Sequence, residues 1–105
     1  MKPHLFHILL ALSKGQLHGY AVQRAVLAQT EGDVRLWPAM LYRSLAHLEA
    51  DGLIAAAPPP AEETDDERRQ YYAITAAGRR RLREEGDRLA RWGAAARRSA
   101  RQGPS

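Results

Sequence analysis

"WPAMLYRSLAHLEADGLI", Trp37 to Ile54, decides how this chain folds. Pro38 suits the first turn of a helix, where its missing N–H has no partner to lose. Leu41, Leu45 and Leu48 follow at i, i+4 and i+7, so they share one face. That face must be buried. Ala39, Arg43, His47 and Ala50 point the other way, with Met40 and Tyr42 on the flanks. Asp51-Gly52 ends the helix, glycine being suited to the left-handed position that follows a helix. "LIAAA", Leu53 to Ala57, then reads as a strand. The stretch predicts a helix over 38–50 with one buried and one free side, running directly into a strand.

Upstream, Leu5, Ile8, Leu9 and Leu12 have helical spacing and Pro3 fits a first turn, so a helix is expected from Pro3 to about Ser13. Gly19 loosens the next start or lets backbone approach another surface. A second helix is expected from Tyr20 to Gln29, with small and branched contacts from Ala21, Val22, Ala25, Val26 and Ala28. Thr30-Glu31-Gly32-Asp33 is a turn, and "VRLW", Val34 to Trp37, is read as a short strand.

Downstream, Pro58-Pro59-Pro60 cannot continue an interior strand. "AEETDDE" is a polar loop carrying five acids, and "RRQYYAI", Arg68 to Ile74, resumes strand character. Gln70, Tyr72 and Ile74 should share one face, and Arg69, Tyr71 and Ala73 the other. The two strands read as a hairpin with a long loop. Thr75 is the expected N-cap of a last helix. Leu82, Leu89 and Ala96 repeat there every seven residues, with Glu85 and Trp92 each three further on from a leucine. The stripe is too irregular for a strict coiled coil. Glu84 with Arg88, and Asp87 with Arg91, have the spacing of helical ion pairs. The helix is expected to fray from about Arg97, leaving 99–105 as a flexible tail.

The chain has 105 residues, a length that suggests one domain, and no cysteine. That excludes disulfides, thiolate catalysis and cysteine-rich metal sites. No apolar run approaches a membrane span. The net charge is +4, but its distribution says more: Met1–Pro60 holds five basic and four acidic residues, Arg79–Ser105 nine and three. A basic segment of this kind meets nucleic acid, an anionic membrane or an acidic protein, or is simply a solvated helix face. There is no glycine-rich phosphate loop, the acidic loop lacks the ligand order of a calcium site, and His4 and His7 have no acid to complete a metal set. Neither an enzyme nor a cofactor is expected.

Three short helices, a two-stranded hairpin and a further helix form the pattern of a winged helix-turn-helix domain, a mainly α fold with a β wing. In that fold the third helix enters the major groove. "ILLALSKGQLHGYAVQRAV", "LWPAMLYRSLAHLEADGLI" and "DERRQYYAITAAGRRRL" together closely resemble the PadR family of bacterial transcriptional regulators, in the right order over roughly residues 5 to 92. The length is similar to that of the compact branch, with a single helix after the wing. The resemblance implies a DNA-binding domain over 1–75, a dimerisation helix over 76–98 and a cytoplasmic repressor. Its partners would be double-stranded promoter DNA, a second copy of the chain, and a small hydrophobic or aromatic effector. No membrane is implied.

Arg43, on the free face of helix three, is the first expected DNA contact, able to bond a guanine edge or a phosphate. Tyr20, Met40, Tyr42, Ser44 and His47 complete the helical set, and Arg68 and Arg69 are the wing candidates. Adjacent strand residues point opposite ways, so the two arginines cannot make the same contact. Ala39 and Met40 depart from the family's usual residues, and neither side chain can hydrogen-bond DNA. Leu82, Leu89, Trp92 and Ala96 are the expected dimer surface, joined by Leu5, Ile8 and Leu9 of helix one, as in the family. Trp92 is the residue expected to line an effector cavity between subunits. The rival reading is a winged helix used for protein contacts alone. A membrane-surface helix is argued against by the small apolar content of the last stripe.

Overall fold

A computed structural model of the chain describes residues 1–61 and 69–103. The elements are α1 (Pro3–Leu12), β1 (Leu17–His18), α2 (Gly19–Gln29), α3 (Pro38–Ala50), β2 (Ile54–Ala57), β3 (Tyr71–Ile74) and α4 (Ala76–Gln102). This is the mainly helical winged helix-turn-helix architecture that the sequence predicts. The acidic loop from Glu62 to Glu67, and Arg68, lie outside the described residues.

The stretch that decides the fold closes as expected. Leu41, Leu45 and Leu48 are buried, and Gly52 stands at φ 74 just past the end of α3. The Leu53 N–H bonds the Leu48 carbonyl at 3.0 Å and the Gly52 N–H bonds that of Glu49 at 3.0 Å. This pair of bonds satisfies two carbonyls that a helix end otherwise leaves open, and it turns the chain sharply into β2. β2 then pairs antiparallel with β3, Ile54 opposite Ile74 and Ala57 opposite Tyr71.

Two sequence expectations are corrected here. The sheet has three strands in the order β1-β3-β2, because Leu17 and His18 pair with Tyr72 and Tyr71. Two residues are too few to reveal a strand by alternation; β1 exists because β3 offers it an edge. "VRLW" forms no strand. Instead, the Val34 N–H bonds the Thr30 hydroxyl at 3.0 Å, and the Gln23 amide donates to the Leu36 carbonyl. Leu36 is fully buried, so one side chain pins this loop to α2.

The core packs α1 against α2, α4 and β3, and α3 against α2 and β2. Ile8, Leu9, Leu12, Val22, Val26, Leu45 and Leu48 have essentially no exposed surface. Ile8 and Leu9 therefore have nothing left to offer a second copy, and Leu5 is nearly covered. Within one chain α1 turns this stripe inward, into the core.

α4 begins as expected. The Thr75 hydroxyl accepts the Gly78 N–H at 3.0 Å and donates to the Gly52 carbonyl at 2.7 Å. One side chain thus caps α4 and ties it to the end of α3. Gly78 is required for a packing reason: a Cβ there would stand 2.1 Å from the Leu53 carbonyl oxygen. α4 continues to Gln102, beyond the expected boundary at 98, and Gly103 at φ 66 follows it. The run from Ala94 to Arg101 is rich in alanine and arginine, good helix formers that carry the helix through the expected tail. At roughly 1.5 Å per residue α4 is about 40 Å long, which accounts for the 61 × 27 × 25 Å extents of the molecule.

Candidate nucleic-acid interface

α3 buries its leucine face, which leaves Tyr42, Arg43 and His47 exposed on the opposite side. Arg43 has no carboxylate partner among the described residues. His47 lies 3.4 Å from Asp51, one turn further on, in an exposed pair. Met40 is half-buried against the core. Ser44 is buried within one chain, at the wall of a cleft that Arg43 and His47 also line. It follows Arg43 by about 100° around the helix, enough to carry it from the outer to the inner face.

Two clefts flank this outer ridge. The smaller, about 220 Å³, is bounded by His18, Gly19, Tyr20, Tyr42, Arg69 and Gln70. It brings together Tyr20 of α2, Tyr42 of α3 and Arg69 of the segment that leads into β3. Gly19 makes the meeting possible, since a Cβ there would lie 2.9 Å from the Tyr42 ring. His18 orients the start of α2: its Nδ1 accepts the Ala21 N–H at 3.2 Å while its ring meets Tyr71 edge-on, centroids 5.4 Å apart. Tyr71 is buried by this contact, and Tyr72 and Ile74 pack on the core. Burial, then Glu49 and Tyr42, push the Tyr72 hydroxyl above its usual pKa, so it remains a neutral phenol.

The larger cleft, about 660 Å³, opens between the start of α1, α3 and α4, with Lys2, His4, Arg43, His47 and Arg81 around its wall. Burial first, then Lys2 and His47, hold the His4 imidazole below its usual pKa. The outer face of α3 thus runs between an aromatic cleft beside the wing and a cationic one beside α1. Helix propensity and patterning pointed to α3 and marked Gly19 for a close approach, but did not say that Tyr42 is what approaches it or that His18 caps α2. The packing needs of Tyr42 and Tyr71, visible only in three dimensions, give those two residues their positions.

The expected stripe on α4 divides. Leu82 packs on the core, whereas Leu89 and Trp92 are exposed, Trp92 to 61%. Glu85 is buried and lies 3.6 Å from the Met1 ammonium, 3.6 Å from Arg81 and 2.8 Å from Arg88. Arg88 thus turns to Glu85 instead of the expected Glu84, because the buried carboxylate needs the charge more than an exposed one does. Trp92 and Ala96 stand on the part of the helix that leaves the body. No described helix is long and apolar enough to cross a membrane, and no described cluster of ligating side chains could hold a metal.

A three-helix body, a β wing and a trailing helix define a winged helix-turn-helix protein. Residues 8–84 match the Transcriptional regulator PadR-like family, and the chain belongs to that family. Solved structures share the fold. A PadR family transcription regulator from a hypervirulent Clostridium difficile aligns with a TM-score of 0.79 at 19% identity, covering 94% of this chain and 99% of its own. A transcriptional regulator from Clostridium thermocellum aligns with a TM-score of 0.76 at 22% identity, covering 90% and 87%. Bacillus subtilis PadR, solved in complex with operator DNA, aligns with a TM-score of 0.65 at 20% identity. That match covers 79% of this chain and 46% of the larger protein. No curated protein matches the sequence.

Proposed function

We propose that this chain is a dimeric transcriptional repressor that reads duplex DNA with the outer face of α3. The observation that carries the reading is the meeting of Tyr20, Tyr42 and Arg69 at one edge of a helix whose free face presents Arg43. A helix with one face buried and a cation on the other, flanked by polar groups from α2 and the wing, suits a groove with phosphates on both sides. Arg43 reads a base edge, Tyr20, Tyr42 and Arg69 hold the backbone, and His47 and Met40 border the contact. The operator-bound relative supports the same use of the fold.

Two copies join through α4, with Leu89 and Trp92 as the apolar centre of the interface and Ala96 beside them. The exposure of both large side chains on one helix supports this. A small hydrophobic or aromatic effector would sit at Trp92, between the subunits, and change DNA affinity by favouring one subunit arrangement. On this reading residues 1–75 bind DNA and the helix from 76 onward joins subunits.

The test is selection of a duplex from a random pool, followed by binding of the selected and scrambled duplexes across a range of salt. The expected result is a preference for the selected duplex that Arg43→Ala removes, with affinity falling steeply as salt rises. Selection of no sequence at all would leave a winged helix that serves protein contacts.

A further inference from the structure

We propose that Arg35 and Trp37 form a second, backbone-gripping contact with DNA immediately ahead of α3; the inference rests on the DNA-binding reading above. Leu36 is fully buried and its carbonyl is held by Gln23 of α2. Leu36 turns into the core while Arg35 and Trp37 on either side of it are exposed, so the two project together to the outer side. Trp37 itself is extended, with φ −70 and ψ 153. The Arg35 guanidinium lies over the Trp37 ring, 5.2 Å from its centroid. Trp37 is 63% exposed, the most exposed large apolar side chain among the described residues.

The pair is fixed to the proposed reading helix. Trp37 is the residue that precedes α3, and its carbonyl accepts the Leu41 N–H at 2.8 Å. Glu31 and Asp33 share the loop, yet among the described residues neither pairs with Arg35. A guanidinium stacked on a ring has already lost much of its rotational freedom, while the N–H groups at its edge remain free to donate. Such a fork matches two oxygens of a phosphate. The arrangement recurs one turn into α2, where Arg24 lies over Tyr20 at 5.0 Å. One stacked arginine therefore stands on α2 and the other on the segment that joins α2 to α3. Repetition of the device beside α3 favours the phosphate backbone over an acidic protein as the occupant.

The experiment measures binding of the wild type, Arg35→Ala, Trp37→Ala, the double variant and Arg43→Ala to the selected and scrambled duplexes as salt is raised. Arg35→Ala should weaken both duplexes by the same factor, about tenfold, and reduce the salt slope by about one. Trp37→Ala should lose less, and should add little once Arg35 is gone. Both side chains are exposed, so far-ultraviolet spectra should match the wild type; Arg35→Lys, which keeps charge without the fork, supplies an independent and smaller loss. If Arg35→Ala and Arg35→Lys bind as the wild type does while Arg43→Ala erases the preference, the clamp fails and the reading helix stands. A loss confined to the selected duplex would make Arg35 a base reader and also overturn the clamp. If the wild type binds no duplex even at low salt, both readings fall together.

Discussion

The body of the molecule and the outer half of α4 use apolar side chains in opposite ways. In the body, Leu45 and Leu48 of α3 are fully buried in the core. On α4 the last buried described residue is Glu85, and the large side chains beyond it, Leu89 and Trp92, are exposed. The body closes on itself within one chain. The outer helix has only its own backbone bonds and good helix formers to hold it, weakened by Gly86 and Gly93. An isolated helix of that length is marginal in water. The difference separates a unit that closes on itself from one that leaves its large apolar side chains open to solvent.

The sharpest way to break that comparison is to remove the same side chain from each region. Leu45→Ala should cost about 3 kcal/mol of stability, from lost burial and the cavity left behind. The loss should appear in urea unfolding at every protein concentration. Leu89→Ala should cost far less at low concentration, where no partner covers it. Equal losses in dilute solution would mean that the outer helix is already packed within one chain.

The junction between the regions comes next. Gly78→Ala puts a methyl group against the Leu53 carbonyl, a backbone atom that cannot turn aside. Either α4 shifts away from the exit of α3 or the strand does. The expected cost is about 2 kcal/mol, in the range of overpacked cores. The gain in helix propensity, about 1 kcal/mol, works the other way. A variant as stable as the wild type would show that α4 docks loosely, and the contrast between a fixed start and a free end would blur.

Trp92→Ala tests the free end directly. If Trp92 anchors the subunit contact, its removal should cost about 2 kcal/mol of association, the scale of an interface hot spot. That is about thirtyfold in the dimer dissociation constant, measurable by analytical ultracentrifugation. An unchanged dimer would move the interface elsewhere on α4 or dismiss it.

Much of the body was legible because its signals are local. The leucine spacing of α3, Gly52 beyond it, Thr75 before α4 and the two longer strands all follow from short-range chemistry that later packing agrees with. What sequence missed depends on pairs distant in the chain. β1 needs the edge of β3, and Leu36 is a core residue on a loop whose carbonyl Gln23 of α2 holds. The burial of Ser44 follows from helix rotation, which turns it away from the face that carries Arg43. The placing of Ile8 and Leu9 in an interface rests on family analogy alone; within one chain both lie in the core. For the candidate site, the outward direction of Tyr42 and Arg43 was readable from helical period. The clustering of Tyr20, Tyr42 and Arg69 required the tertiary fold.

The smallest expected effect concerns pH and belongs to the body alone, since α4 carries no histidine. The His7 Nδ1 is buried without a hydrogen-bond partner, and burial holds the ring below its usual pKa of 6.5. His4 is lowered too, by burial first and then by Lys2 and His47. The unfolded chain takes up protons near the ordinary histidine value, while the folded chain resists them. The unfolded state therefore binds more protons as pH falls, and stability falls with it. The contribution is whole above the unfolded pKa of 6.5, declines as pH drops below it, and levels off under the folded values. Urea midpoints should thus decrease between neutral and mildly acidic pH, with His4→Gln and His7→Gln together flattening that decline. A double variant with the wild-type slope would remove the two histidines from the account. Because neither lies on α4, the dimer constant should not follow the same titration. If it does, the start of α1 lies close enough to the partner to feel its charge, and the line between body and outer helix moves to include it.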